Sequence, residues 1–197
     1  MKLPLFPLNA VLFPGCRLDL QIFEARYLDM ISRCMKQGTG FGVVTIGEGR
    51  EVGEAPSRLA MVGCEASVRD WQQRPNGLLA SAWRAVGVSR CCRWRAQADQ
   101  LSVGEIEWFE DLPEQPLTYE HNDLAALLSV LAEHPMVAAL EMGGEPGGQQ
   151  DLANQLAYLL PFDTERKLEL LALPDAQMQL ARIQVLLEHL QGELGID

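Results

Sequence analysis

The side chains that nucleophilic or metal chemistry would need are few in this chain, and their spacing argues against both. None of the seven serines has glycines at both −2 and +2, so the sharp turn that exposes a nucleophilic serine has no candidate. Lysine occurs only at Lys2, Lys36 and Lys167, which leaves few partners for a Ser-Lys dyad, and no glycine precedes a lysine, which removes the phosphate loop of an ATPase. His121, His134 and His189 are widely spaced in the second half, away from every cysteine, so no closed metal-ligand pattern can be assembled. No metal or cofactor is expected.

Cys16, Cys34, Cys64, Cys91 and Cys92 make an odd number, contain no C-x-x-C pair and lie in apolar or alternating stretches. They read as reduced thiols of a cytoplasmic protein. Vicinal Cys91 and Cys92, as strand neighbours, point to opposite faces and cannot bridge without distortion. Glu105 and Glu107 alternate with Ile106 and Trp108, the pattern of a strand's wet side and not of an acid/base pair. A hydrolase whose Cys and His meet only in the fold, across the two halves, stays open as a third reading.

One segment has the composition of a binding surface. Between residues 69 and 95 stand Arg69, Arg74, Arg84, Arg90, Arg93 and Arg95 against one carboxylate, Asp70, with Trp71, Trp83 and Trp94 interleaved. Arginine with aromatics can stack on nucleic-acid bases or grip peptides. Arg84, Arg90, Arg93, Trp94 and Arg95 form this candidate surface; on a strand Arg93 and Arg95 share a face while Trp94 points inward. An ordinary strand with solvated arginines fits the same pattern. The formal charge of −11 opposes a grip on phosphate backbones. Residues 1 to 117 hold 13 basic and 14 acidic side chains, however, while residues 118 to 197 hold 3 and 13, so the acidity belongs to the second half.

These residues need a scaffold, and 197 residues with 48% hydrophobic content make a compact globular chain of one large or two small domains. The start imitates an exported leader ending at Cys16, but Pro4, Pro7 and Asn9 break its apolar run. No stretch approaches the roughly 20 apolar residues that span a bilayer, so neither export nor membrane insertion is expected. Residues 3 to 22 read as short strands, with Leu18, Leu20 and Ile22 on one face and Arg17, Asp19 and Gln21 on the other. The period then changes to a helix through Tyr27, Met30, Ile31 and Cys34 that ends near Gly38. Further strands are expected over 41–46, 58–68, 78–89, 91–98 and 101–109, with a turn at Arg74-Pro75-Asn76-Gly77. Six or more short strands with one early helix suggest a closed or nearly closed antiparallel barrel.

After Pro116 the period is helical. Leu124, Leu127, Leu128 and Leu131 form one stripe, stopped by His134-Pro135. The glycine-rich loop from Gly143 to Gly148 reads as a flexible connector before a helix carrying Leu152, Leu156 and Leu159. Asp163 or Thr164 caps the next helix, and the last helix is expected to start at Pro174, with Leu180, Ile183, Leu187, Leu190 and Leu194 as its stripe. Fold class is therefore α+β: a small barrel with one embedded helix over 1–117, then a helical bundle over 118–197.

The opening L-P-L-F-P-L at residues 3–8, then Phe13-Pro14-Gly15, then Ile22-Phe23-Glu24-Ala25-Arg26-Tyr27, resembles the start of the Lon protease N-terminal (substrate-binding) domain family. Phe41-Gly42-Val43-Val44, Val62-Gly63-Cys64, Asn76-Gly77 and Ala85-Val86-Gly87-Val88 look like the family's successive β elements. Residues 152 to 171 and Pro174-Asp175 are similar to its C-terminal helices. The resemblance implies a barrel of pseudouridine-synthase-associated (PUA-like) type followed by helices, in agreement with the periodicity. It also implies a stand-alone, non-enzymatic module that binds unfolded or extended polypeptide in a groove between barrel and helices, as an adaptor or regulator of a proteolytic system. Neither motor nor protease motif is found, and no activity carries over. Phe23, Glu24, Arg26 and Tyr27 are the candidate polypeptide contacts, although the first reading of Glu24 in the helix's first turn, and of Arg26 and Tyr27 against the barrel, is a folding role. RNA binding through the Arg/Trp segment is the alternative.

Overall fold

A computed structural model describes residues 1–73, 79–140, 142 and 145–194, with backbone alone at 19, 68–73, 79–84 and 193–194. Packing divides the chain into two units, Met1–Glu110 and Asp111–Asp197.

The first unit contains β1 (Lys2–Leu8), β2 (Arg17–Ile22), α1 (Ala25–Gln37), β3 (Phe41–Glu48), β4 (Arg58–Gln73), β5 (Leu79–Ala96) and β6 (Ser102–Trp108). The strands run in the order β2-β5-β4-β3-β1-β6, and β5 pairs again with β6. β1, β3, β4, β5 and β6 thus close a five-strand barrel, and β2 lies outside the ring on β5. The barrel is not wholly antiparallel, because β1 and β3 pair parallel from Leu5↔Gly42 to Leu8↔Thr45. Parallel neighbours need a crossover, and α1 lies on the chain between them. Its 3.6-residue period buries Arg26, Tyr27, Met30, Ile31 and Cys34 on one side. Gly38, at φ 65°, ends it in the left-handed region that favours glycine.

β5 is one strand of 18 residues where two were expected. Its residues 79–84 pair with β2 and residues 89–96 with β6, and β4 lies on its other side, with register shifts between Glu65 and Ala66 and between Val68 and Asp70. Such bulges let a long strand bend from one neighbour to the next. Phe13, Phe41, Leu5 and Ile22 are fully buried in this unit. A Cβ at Gly63 would fall against the Val43 carbonyl oxygen, so β3 and β4 approach there only because the side chain is missing. Ile106 is buried as alternation predicts, whereas Trp108, the last residue of β6, is 41% exposed.

The second unit has a 3-10 turn at Tyr119–His121, then α2 (Asn122–Glu133), α3 (Pro135–Ala138), α4 (Gln149–Leu159), α5 (Thr164–Leu171) and α6 (Ala176–Leu194). α4 is buried along six successive residues, Leu152 to Ala157, and contacts α2, α5 and α6. Asp163 caps α5 by accepting the Arg166 N–H at 2.8 Å. The last helix starts at Ala176, not Pro174, because the Asp175 carboxylate takes the Met178 N–H at 2.8 Å. Its buried stripe is Leu180, Ile183 and Leu186, with Leu187 half-buried beside it. No helix among the described residues is long and apolar enough to cross a membrane.

Candidate functional site

The family-like opening folds into one junction between β2 and α1. Strand alternation buries Ile22 and turns Phe23 outward, where it is 57% exposed. Glu24 occupies the N-cap of α1 but makes no side-chain bond to the helix amides, contrary to the first-turn role expected of it. Its carboxylate is drawn instead to Arg26, whose Nη2 lies 3.2 and 3.1 Å from Oε1 and Oε2, and Oε1 also accepts the Gly53 N–H at 3.0 Å. Arg26 Nη1 donates to the Gln100 carbonyl at 2.8 Å, and the guanidinium lies 4.6 Å from the Tyr27 ring centroid. Tyr27 packs on Phe6 at 4.3 Å, and Phe6 on Phe41 at 5.9 Å.

Arg26 and Tyr27 are therefore buried, and burial pushes the Tyr27 hydroxyl above its ordinary pKa. Together with Glu24 they tie α1 to residues 53 and 100 and to the barrel core. Gln100 reaches this position at φ 65° and in turn accepts the Ala55 N–H at 3.2 Å on its side chain. Of the four candidate contacts only Phe23 is more than half exposed.

The junction continues a sheet edge. Among the described residues β2 has β5 as its only strand partner, and β3 pairs with β4 no further than Ala66. β2, β5 and the far part of β4 thus extend beyond the barrel as three strands. Where the chain enters β2, Gly15 at φ 80° donates to the Ala85 carbonyl and the Ala85 N–H donates to Cys16, two residues facing one. This glycine bulge sets the register of the strand that follows.

The basic segment is less of a surface than its composition suggests. Arg90, Arg93 and Arg95 are exposed, but Arg90 lies opposite Glu107 and Arg93 opposite Glu105 on β6. Opposed residues share a face, so these guanidinium groups sit among carboxylates. Arg90 also lies 5.5 Å from the Phe109 ring centroid. Trp94 packs against the core cluster of Leu5, Val44, Leu59 and Cys91 and is not on the arginine face. The side chains of Arg69, Arg74, Arg84, Trp71 and Trp83 lie outside the described residues, as does the Asn76-Gly77 turn.

A groove of about 560 Å³ in the barrel unit was not anticipated; Leu3, Pro4, Met30, Leu101 and Val103 line it, with Arg33, Cys34 and Glu65. Desolvation raises the pKa of Glu65, which the Gly40 N–H opposes, and raises that of Cys34, whose thiol donates to the Gly40 carbonyl at 3.4 Å. Its walls come from β1, α1, β4 and β6, so no local sequence pattern announces it. Burial holds Cys64 well above the ordinary thiol value and Cys91 above it; desolvation and the Glu107 carboxylate raise Cys92. These shifts oppose thiolate formation, the reverse of what a nucleophile requires. No cluster of three metal-ligating side chains occurs among the described residues.

The fold and the opening motif have relatives. Among solved structures, the Lon N-terminal domain protein from Xanthomonas campestris is 31% identical, with 94% of this chain and 98% of that one covered at a TM-score of 0.75. The N-terminal domain of the Mycobacterium avium complex Lon protease, 15% identical over 95% and 97% of the two chains, shares the fold at a TM-score of 0.57. The model of the ATP-dependent protease La (LON) substrate-binding domain matches residues 2–189, so the barrel, the junction and most of the helical unit are features of one family, to which this chain belongs.

Proposed function

We propose that this chain is a non-catalytic polypeptide-recognition module whose clients are unfolded or extended segments, and that it serves a cytoplasmic proteolytic system as an adaptor or regulator. The observation that carries this reading is the β2–α1 junction, where a solvent-exposed Phe23 directly precedes the residues, Glu24, Arg26 and Tyr27, that tie α1 to the barrel unit. An aromatic ring on a rigid mount offers a large apolar contact at little cost in side-chain entropy. Substrate binding in the family's description supports the same reading.

The test is fluorescence anisotropy of a labelled, reduced and carboxymethylated protein titrated with the chain in the absence of ATP. Saturable binding is expected, and Phe23→Ala should weaken it about fivefold or more. Absence of binding at any accessible concentration would overturn the reading. RNA, the alternative, draws support from the three exposed arginines but meets Glu105 and Glu107 on the same face. Appreciable affinity at low salt that falls steeply as salt rises, with a shallower slope in an Arg93→Ala, Arg95→Ala variant, would favour it instead.

A further inference from the structure

We propose that the client is bound as an added strand on the open edge of β2, its backbone pairing with Asp19 and Gln21 and one of its side chains meeting Phe23. This rests on the polypeptide-binding reading above and specifies its mode. The pairing of β2 with β5 is regular from Arg17↔Arg84 to Ile22↔Leu79, and the bond from the Ala85 N–H to the Cys16 carbonyl fixes its phase. Antiparallel neighbours alternate between residues that exchange bonds and residues that do not. Leu18, Leu20 and Ile22 therefore bond β5, while Asp19 and Gln21 direct their N–H and C=O groups to the side where β2 has no strand partner among the described residues.

A row of backbone donors and acceptors at strand spacing is complementary to one kind of partner, an extended backbone. No proline and no bulge interrupts β2 between residues 17 and 22, so two common protections of an exposed edge are absent. The edge also offers side-chain selection. Leu18 and Leu20 are half-buried on one face, and Phe23 continues the line of the other face beyond Gln21. A fitting segment is thus extended, free of proline and apolar at alternate positions. Unfolded chains display such segments and folded ones bury them, so the edge distinguishes clients by state and not by name.

Proline separates this mode from side-chain recognition. At residue 21 the N–H serves no bond to β5, so Gln21→Pro removes an outward donor and places a ring on the edge while the β2–β5 ladder stays intact. The probe is a fluorescent decapeptide of alternating valine and serine with terminal lysines, measured beside the carboxymethylated protein. Gln21→Ala is expected to bind both as wild type does, and Gln21→Pro to lose about tenfold or more. The same decapeptide N-methylated through its centre should fail to bind wild-type protein, a result that does not depend on how the variant folds.

If wild type binds the unfolded protein but neither the proline nor the N-methyl groups matter, the edge assignment is overturned and polypeptide recognition stands. If wild type binds neither probe, both fall. Conversion of a dimer to a monomer by Gln21→Pro, with peptide binding unchanged, would assign the edge to a second copy of the chain and also overturn the proposal.

Discussion

Arg26 illustrates how one side chain can carry a motif without touching a ligand. It is 7% exposed, and its guanidinium answers a carboxylate, a backbone carbonyl and an aromatic face at once. Removing it leaves the mostly buried Glu24 carboxylate and the Gln100 carbonyl short of a donor, and an unmet buried group costs more than the bond it lost. Arg26→Ala is expected to lower unfolding free energy by about 2–4 kcal/mol in urea titration. Arg26→Lys should recover only part of this, because an ammonium cannot present the planar fork that spans both acceptors. A change below about 0.5 kcal/mol would mean that the junction does not hold α1, and that Phe23 is not on a rigid mount.

At the level of elements, hydrophobic period tells which face of a segment is buried but not which segment lies beside it. The change from period two at Ile22 to helical spacing at Tyr27 was legible, and β2 and α1 fall there. The parallel pairing of β1 with β3 was not, because nothing local to either strand encodes direction. The groove beside Glu65 was invisible for the same reason: four elements build it. Tyr27 stood on the helix's apolar stripe and Arg26 was expected against the barrel, but the partners that meet Arg26 and Glu24 there, the Gln100 carbonyl and the Gly53 N–H, lie far along the chain and were not legible. Where the glycine-rich loop meets α4, a long-range contact holds the helix start that composition does not reveal. The described end of the loop is held by Glu114, whose Oε1 accepts the Gln150 N–H at 2.7 Å and Oε2 the Asp151 N–H at 3.2 Å, while a Cβ on Gly148 would meet that carboxylate at 2.5 Å. A carboxylate on the first amides of α4 also complements the helix dipole. Glu114→Ala should destabilise the helical unit by about 1 kcal/mol, read as earlier loss of helical circular dichroism in a urea titration. An unchanged transition would show that solvent caps α4 equally well.

For the molecule as a whole, the charge of −11 is a poor guide to partners until it is divided. In the barrel unit, opposed strands bring Arg90 to Glu107 and Arg93 to Glu105, so opposite charges lie side by side. In the helical unit Arg166 pairs with Asp163 at 3.5 Å and Arg182 with Glu169 at 3.0 Å, but residues 118–197 hold 13 carboxylates against 3 basic side chains, and like charges remain in excess. Self-repulsion of that kind opposes the folded state and is screened by salt within about 10 Å at 0.1 M. Raising sodium chloride from 0.02 to 0.3 M is therefore expected to raise the melting midpoint by roughly 2–4 °C, the equivalent of about 1 kcal/mol in a chain of this size. Client binding through backbone pairing should change little over the same range, whereas a phosphate-gripping surface would lose affinity steeply. A midpoint that falls with salt would mean that the attractive pairs outweigh the acidic excess. The helical unit would then be held together by its ion pairs and not in spite of its charge.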